Sequence, residues 1–150
     1  MKKIVALVSL LLIATAATAQ YKPKTKPGAK AATPQAVPAT GEFRRISREE
    51  AYKLWRAGTA IFVDVRSHQS FTNGHIRGAK SIPGSELITR FAEVQQPDKL
   101  IITYCACDAE QSSGKAVLNL NAHGVKNAAA LKGGYIEWRS AGHPVLAGPK

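Results

Sequence analysis

Two cysteines separated by a single residue are the side chains best suited to covalent chemistry in this sequence. They are Cys105 and Cys107, and the 150-residue chain contains no other cysteine. A thiolate is a strong nucleophile and a soft metal ligand. Because two cysteines this close cannot join distant parts of a fold, local chemistry is the better explanation of the pair.

Three kinds of chemistry are open to these thiols. Cys105 alone can act as a nucleophile that carries a covalent intermediate. The pair can close as a disulfide for thiol–disulfide exchange, or Cys107 can resolve a persulfide or sulfenate formed on Cys105. Two thiolates can also bind Cu(I), but two ligands without a neighbouring histidine are a weak metal signal. We therefore expect no metal and no other cofactor.

A strand and a helix are predicted on either side of the pair. Residues 100–104 form the most apolar, β-branched run of the chain and lead directly into Cys105, and a helix is predicted to open at Ser112 or Ser113. Backbone N–H groups in such a loop can cradle an anion, and the helix N-terminus adds about half a positive charge. We predict Cys105 as the catalytic residue. The predicted substrate-binding loop consists of Ala106, Cys107, Asp108, Ala109, Glu110, Gln111 and Ser112.

Strand and helix patterns alternate through the second part of the chain. Strands are predicted at residues 43–46, 60–65, 80–83, 100–104 and 128–131. Ser47 and Glu50 form a capping box before the first helix, and Ser85 is predicted to cap a helix at residues 86–93. This order predicts an α/β domain with a mainly parallel sheet of five strands. Ligands bind at the carboxyl ends of such strands, where Cys105 falls.

Residues 1–19 have the pattern of a secretory signal peptide. Lys2 and Lys3 precede an apolar run, and Ala17-Thr18-Ala19 supplies small residues for cleavage. The run of about eleven residues is too short to cross about 30 Å of hydrocarbon. We expect an exported protein, periplasmic or secreted, with no stable membrane span after cleavage.

Residues 20–41 are rich in proline and lysine and show no apolar periodicity, which is typical of a disordered linker. The folded domain is predicted at residues 42–150. The chain carries a net charge of +11, and part of the excess lies in this linker. We interpret the linker as a solvated tether. Nothing resembles a nucleic-acid-binding motif, so no nucleic-acid partner is expected.

Several short motifs resemble the rhodanese-like family over about residues 43–147. They are FVDVR at 62–66, FTNGHIRGA at 71–79, IP at 82–83, YC at 104–105, LKGGYIEW at 131–138 and GHPV at 142–145. The resemblance implies a five-stranded parallel sheet flanked by helices and a sulfurtransferase activity. It also implies a persulfide on Cys105, with a small sulfur donor and a thiol or cyanide acceptor as partners. A protein thiol is another candidate acceptor.

The cysteine loop departs from the family pattern in its charge. Related loops commonly carry arginine or lysine after the cysteine, whereas this one carries Asp108 and Glu110 and has no cation before Lys115. At about 5 Å and an effective dielectric of about 20, each like-charge contact with an anionic donor would cost about 3 kcal/mol. The loop therefore argues against thiosulfate as the preferred donor. The alternative is a redox or sulfur-carrier module that uses the two cysteines.

Three further residues of these motifs are predicted to support the site. Asp64 and Arg66 are expected to form a structural ion pair or to anchor a loop, with substrate contact as the alternative. His75 is expected to fix a turn by hydrogen bonding, with a role as a base as the alternative.

Overall fold

The computed structural model describes residues 41–149; the predicted signal peptide and all but the last residue of the predicted linker lie outside this range. The strands are β1 (Arg45–Ile46), β2 (Ala60–Asp64), β3 (His75–Ile76), β4 (Lys80–Ser81), β5 (Leu100–Tyr104), β6 (Ala128–Leu131) and β7 (Val145–Leu146). The helices are α1 (Arg48–Ala57), α2 (His68–Asn73), α3 (Leu87–Arg90), α4 (Gln111–Ala122) and α5 (Gly134–Ser140).

Five strands form one parallel sheet in the order β1-β6-β5-β2-β4, which confirms the predicted α/β fold. The central pair is β2 and β5, whose last residues, Asp64 and Tyr104, are register partners. The segments that follow these two strands therefore leave the sheet side by side. This edge holds the Asp64–Arg66 segment and the cysteine loop.

Side chains of successive strand residues point to opposite faces of the sheet, and each face has its own buried core. One face packs Val63, Ile101 and Cys105 against Leu87 of α3 and Val117 of α4. The opposite face packs residues such as Phe62, Ile102 and Tyr104 against Ala51 of α1, Phe71 of α2 and Trp138 of α5. Cys105 thus belongs to the face that α4 covers.

The predicted cap of α1 is confirmed, because the Ser47 hydroxyl accepts a hydrogen bond from the Glu50 N–H at 3.2 Å. The predicted Ser85 cap is wrong. Helix α3 covers only residues 87–90, continues as a 3₁₀ turn at residues 91–93, and makes no side-chain cap bond at its start. No helix of the described residues is long and apolar enough to cross a membrane.

Three elements were not predicted. Helix α2 occupies the polar stretch after β2, where the sequence indicated only a turn. It has six residues and one buried side chain, Phe71, so its sequence shows no apolar periodicity. The other two are β3 and β7, which form an antiparallel pair in which His75 faces Leu146 and Ile76 faces Val145. This pair holds the end of the described chain against the main domain.

Candidate active site at the carboxyl edge of the sheet

Cys105 follows β5 directly and is buried, with 2% of its surface exposed. Its carbonyl oxygen accepts a hydrogen bond from the N–H of Tyr135 at 2.8 Å. Gly134 lies so close to this carbonyl that a Cβ atom there would collide with it, and its φ of 51° is left-handed. The start of α5 therefore fixes the backbone of the cysteine, and only glycine fits at the point of contact.

Cys105 and Cys107 are joined as a disulfide, with their Cα atoms 5.7 Å apart. The sequence left this pairing open. The two halves of the disulfide differ in their surroundings. Cys105 is buried, whereas Cys107 is only partly buried and lines a cleft of about 260 Å³. A molecule in this cleft meets Cys107 before it meets Cys105.

Ser113 is the side chain of α4 that lies against the cysteine sulfur. Its Oγ is 3.6 Å from the Sγ of Cys105, and the residue is fully buried. The hydroxyl lies 3.2 Å from the Glu110 carbonyl, to which it donates, and the Ser113 carbonyl accepts from Thr103 Oγ1 at 2.9 Å. Sequence reasoning treated Ser113 only as a helix start. The sequence signal that could have indicated its role is a hydroxyl side chain in the first turn of the helix after the cysteine loop.

The backbone of the cysteine loop passes from the left-handed to the right-handed helical region of φ and ψ just before α4. Ala109 and Glu110 have left-handed φ values of 58° and 53°, and Gln111 returns to the right-handed region with a φ of −53°. Non-glycine residues in the left-handed region carry about 1–2 kcal/mol of strain each, and such strain concentrates at functional sites. A change of hand between successive residues turns their N–H groups toward one point, which forms an anion-binding concavity.

The N–H groups of Ala106 and Cys107 lie at the other end of the loop. Among the described residues, no backbone carbonyl accepts a hydrogen bond from either of them. Within that part of the structure, two backbone donors beside the cysteines therefore have no backbone partner. This arrangement suits a bound anion or a sulfur anion formed on the cysteine.

Glu110 is tied into the fold instead of standing free in the loop. Its carboxylate accepts from the Gly133 N–H at 3.0 Å and from Arg45 Nε at 3.2 Å. One of the two loop acids thus has a cation and an N–H donor against it, which the charge count of the loop alone did not show. The side chain of the second acid, Asp108, lies outside the described part of the structure.

Asp64 and Arg66 form an ion pair in which Asp64 is buried and Arg66 is partly buried. Arg66 Nε donates to Asp64 Oδ1 at 2.9 Å, and Nη2 donates to the Gly74 carbonyl at 2.6 Å. The guanidinium also lies 4.3 Å from the centre of the Tyr135 ring. Burial alone would lower the pKa of Arg66, but the bonds to Asp64 outweigh it and raise the pKa. The pair anchors the segment after β2 to α2 and α5.

His75 and Tyr104 lie together on the face opposite Cys105. The His75 ring is buried, donates from Nδ1 to the Phe71 carbonyl at 2.9 Å and stacks on the Phe71 ring. Burial, with a smaller contribution from the nearby Asp64, raises the pKa of Tyr104 far above its usual range. Its hydroxyl accepts from the N–H of Ile76 at 3.2 Å. In this structure these groups serve packing and hydrogen bonding.

Two clefts near the loop differ in charge. The described lining of the cleft beside Cys107 contains two carboxylates and no lysine or arginine; its residues are Ala106, Cys107, Ala109, Glu110, Gly133, Ile136 and Glu137. A second cleft of about 540 Å³ has two cations and no carboxylate among the described residues that line it; its polar residues are Arg66, Ser67, Ser85, Ser112, Lys115 and Asn119. The second cleft is the better match for an anionic small molecule.

Residues 47–141 match a protein family described as "Rhodanese-like domain". The match covers more than half of the chain and includes four of the five strands of the main sheet, the cysteine loop and α5. This protein therefore belongs to the rhodanese-like domain family, as the sequence motifs indicated.

Known proteins similar to this chain include enzymes and a regulator. Thiosulfate sulfurtransferase GlpE of Stutzerimonas stutzeri is 35% identical over 98 residues, which are 65% of this chain and 86% of that enzyme. The HTH-type transcriptional regulator Rv0324 of Mycobacterium tuberculosis is 38% identical over 103 residues, which are 69% of this chain and 45% of the regulator. A crystal structure of thiosulfate sulfurtransferase from Pseudomonas aeruginosa superposes with a TM-score of 0.65 and 31% identity, covering 72% of this chain and 21% of that one.

Proposed function

We propose that this protein is a sulfurtransferase that carries a sulfane sulfur as a persulfide on Cys105. The observation that carries the proposal is the position of this sulfur at the carboxyl edge of a rhodanese-like sheet, 3.6 Å from the Ser113 hydroxyl. It lies next to the N–H groups of Ala106 and Cys107, from which no described backbone carbonyl accepts a hydrogen bond. Such donors stabilise a thiolate or a persulfide anion.

The transfer has two steps once the disulfide is reduced. The Cys105 thiolate attacks the outer sulfur of the donor, and the rest of the donor leaves; with thiosulfate the leaving group is sulfite. The resulting persulfide, Cys105–S–S⁻, is held by the N–H groups of the loop and, once the Ser113 hydroxyl turns from the Glu110 carbonyl to the sulfur, by Ser113. An acceptor thiolate or cyanide then attacks the outer sulfur, and the Cys105 thiolate is released.

We further propose a donor that carries less negative charge than thiosulfate. Within residues 41–149, the lining of the cleft beside Cys107 includes Glu110 and Glu137 and no lysine or arginine, so a dianion gains no direct ion pair from this lining. Glu110 is already paired, which reduces the repulsion expected from the sequence. A thiol persulfide fits this cleft better than thiosulfate.

The test is the rate of sulfur transfer to cyanide, followed as thiocyanate, with reduced protein and either thiosulfate or a thiol persulfide as donor. Cys105→Ser is expected to lower the rate by at least about 100-fold because it removes the nucleophile. Cys107→Ser is the matched control, since it removes the other thiol of the same loop. Equal rates for wild type and Cys105→Ser would refute the proposal.

The disulfide favours one second candidate, a thiol–disulfide exchange module without sulfur transfer. Cys105 and Cys107 are already paired in the structure, as such a module requires. This candidate predicts reduction and reoxidation of the pair by thiols and disulfides, with no thiocyanate formed from any sulfane donor. The same assay therefore distinguishes sulfur transfer from thiol–disulfide exchange.

We also propose that the protein acts outside the cytoplasm. The support is the sequence pattern of residues 1–19, and an oxidising compartment would favour the disulfide. Mass measurement of the protein recovered from cell fractions tests this. We expect a chain without residues 1–19 in the export compartment, and an intact chain in the cytoplasm would contradict export.

A further inference from the structure

We propose that Cys107 is a resolving cysteine that attacks the Cys105 persulfide, closes the disulfide and releases sulfide. The protein would then reduce sulfane sulfur to sulfide in addition to transferring it. This inference rests on the proposed persulfide, and the experiments below separate the failure of one from the failure of the other.

The backbone of the loop already places the two sulfur atoms within bonding distance. The Cys105–Cys107 disulfide forms with both residues in the same short loop and with Cys105 held by Tyr135 N–H and Ser113. Cys107 can therefore reach the inner sulfur of a Cys105 persulfide without a rearrangement of the sheet or of α4. An external thiol must instead enter the cleft first.

The reaction balances without any outside oxidant. The Cys107 thiol loses its proton and attacks the Sγ of Cys105, the bond from this Sγ to the outer sulfur breaks, and the outer sulfur leaves as hydrosulfide. Written in full, Cys105–S–S⁻ plus Cys107–SH gives the Cys105–Cys107 disulfide plus HS⁻. The sulfane sulfur is reduced by two electrons, and the two cysteine sulfurs supply them.

A small thiol then reopens the disulfide, and two observations direct its attack to Cys107. First, Cys107 lines the cleft, whereas Cys105 is only 2% exposed. Second, attack on Cys107 expels the thiolate of Cys105, which has the Ser113 hydroxyl 3.6 Å away and the start of α4 beside it. A leaving thiolate that is stabilised leaves faster. Access and leaving-group stability therefore both favour attack on the sulfur of Cys107.

Two thiol molecules complete the cycle. The first forms a mixed disulfide with Cys107 and frees Cys105. The second attacks the sulfur of the first thiol in this mixed disulfide, which frees Cys107 and yields the small-molecule disulfide. Each turnover would consume two thiols and one sulfane sulfur and would produce one sulfide.

The first experiment measures sulfide release in a single turnover. Reduced wild type and Cys107→Ser are loaded with thiosulfate or a thiol persulfide, separated from all small molecules, and followed for sulfide without an acceptor. We expect wild type to release sulfide and to end as the disulfide, and Cys107→Ser to keep its persulfide and release sulfide at least about tenfold more slowly. Equal release by both proteins would overturn the resolving role while leaving the persulfide intact. If neither protein gains a sulfur, the proposed function itself fails and this inference falls with it.

The second experiment needs no variant. The oxidised wild-type protein is mixed briefly with glutathione, quenched with acid, and fragmented in the mass spectrometer to locate the mixed disulfide. We expect glutathione on Cys107. Glutathione on Cys105 would contradict the assignment of Cys107 as the sulfur that receives the reductant.

Discussion

The carboxylate of Glu110 accepts a hydrogen bond from the backbone N–H of Gly133, 3.0 Å away. This bond connects the end of the cysteine loop to the turn that opens α5, and Arg45 completes the contact from β1. From the sequence, Glu110 was expected to repel an anionic donor. In the structure, this carboxylate instead has a hydrogen-bonding partner on two sides. Its main role in this structure is to hold the strained, left-handed end of the loop.

Glu110→Ala is expected to destabilise the domain by about 1–2 kcal/mol, because the N–H of Gly133 and the Arg45 guanidinium lose their acceptor. We also expect slower sulfur transfer, since the loop is no longer held. Glu110→Gln keeps an amide oxygen for Gly133 and should lie between wild type and alanine. Urea unfolding and the thiocyanate assay measure both effects. Faster turnover of thiosulfate in both variants would instead mean that this carboxylate repels the donor.

Ser113→Ala tests the hydroxyl beside the sulfur. In the disulfide form this hydroxyl donates to the Glu110 carbonyl, and we predict that it turns to the Cys105 thiolate after reduction. Loss of that hydrogen bond to a charged sulfur is expected to slow persulfide formation by about tenfold, a transition-state effect of about 1.4 kcal/mol. Ser140→Ala is the control, because Ser140 is an exposed serine at the end of α5 and lines neither of the two clefts near the loop. The measurement is the rate of reaction of reduced protein with a sulfane donor. Equal rates in the two variants would show that the Ser113 hydroxyl does not act on Cys105.

Gly134→Ala tests the contact between α5 and the Cys105 backbone. A methyl group at this position would collide with the Cys105 carbonyl and would also sit at a left-handed φ. Gly124→Ala is the control, because Gly124 has a φ of 86° and no atom close to the added carbon. The control should lose about 1 kcal/mol of unfolding free energy from the backbone alone. Gly134→Ala should lose clearly more and should also lose activity; similar losses would show that the contact tolerates a methyl group.

Asp64→Asn tests the ion pair with Arg66. Removing the charge of the buried Asp64 leaves the partly buried guanidinium without its counter-charge, and we expect a loss of about 2 kcal/mol of unfolding free energy. The control is Glu49→Gln, which removes the exposed partner of Arg48 and is expected to cause no measurable change. Chemical unfolding of the three proteins gives the comparison. A small effect at Asp64 would mean that water from the cleft replaces the lost carboxylate around the guanidinium.

The sequence predicted the parts of this fold that rest on local patterns. Each of the five strands of the main sheet reads as a short extended run, and β5 ends at the cysteine, so the edge that carries Cys105 follows from the order of the elements. Helix α2 could not be predicted in the same way, because it is short, polar and held mainly by the Ser67 cap and by Phe71.

Some contacts of the site could not be predicted from the sequence. They join residues far apart in the chain or depend on the direction in which a side chain points. Glu110 binds Arg45, which lies 65 residues away, and Gly133, which lies 23 residues away. No local pattern of charge indicates these partners. The approach of Ser113 to Cys105 depends on which face of α4 turns inward, and the start of that helix at Gln111 was predicted one or two residues too late. The roles of the loop residues in sulfur transfer stay predictions.

The most direct test of the persulfide is the mass of the reduced protein after exposure to a sulfane sulfur donor. Cys107→Ser is the form to use, because its sulfur cannot be lost to the neighbouring thiol. The account predicts a gain of about 32 Da, one sulfur atom, located on Cys105 by fragmentation, and no gain in Cys105→Ser. The same gain in Cys105→Ser, or its location on another residue, would contradict the account.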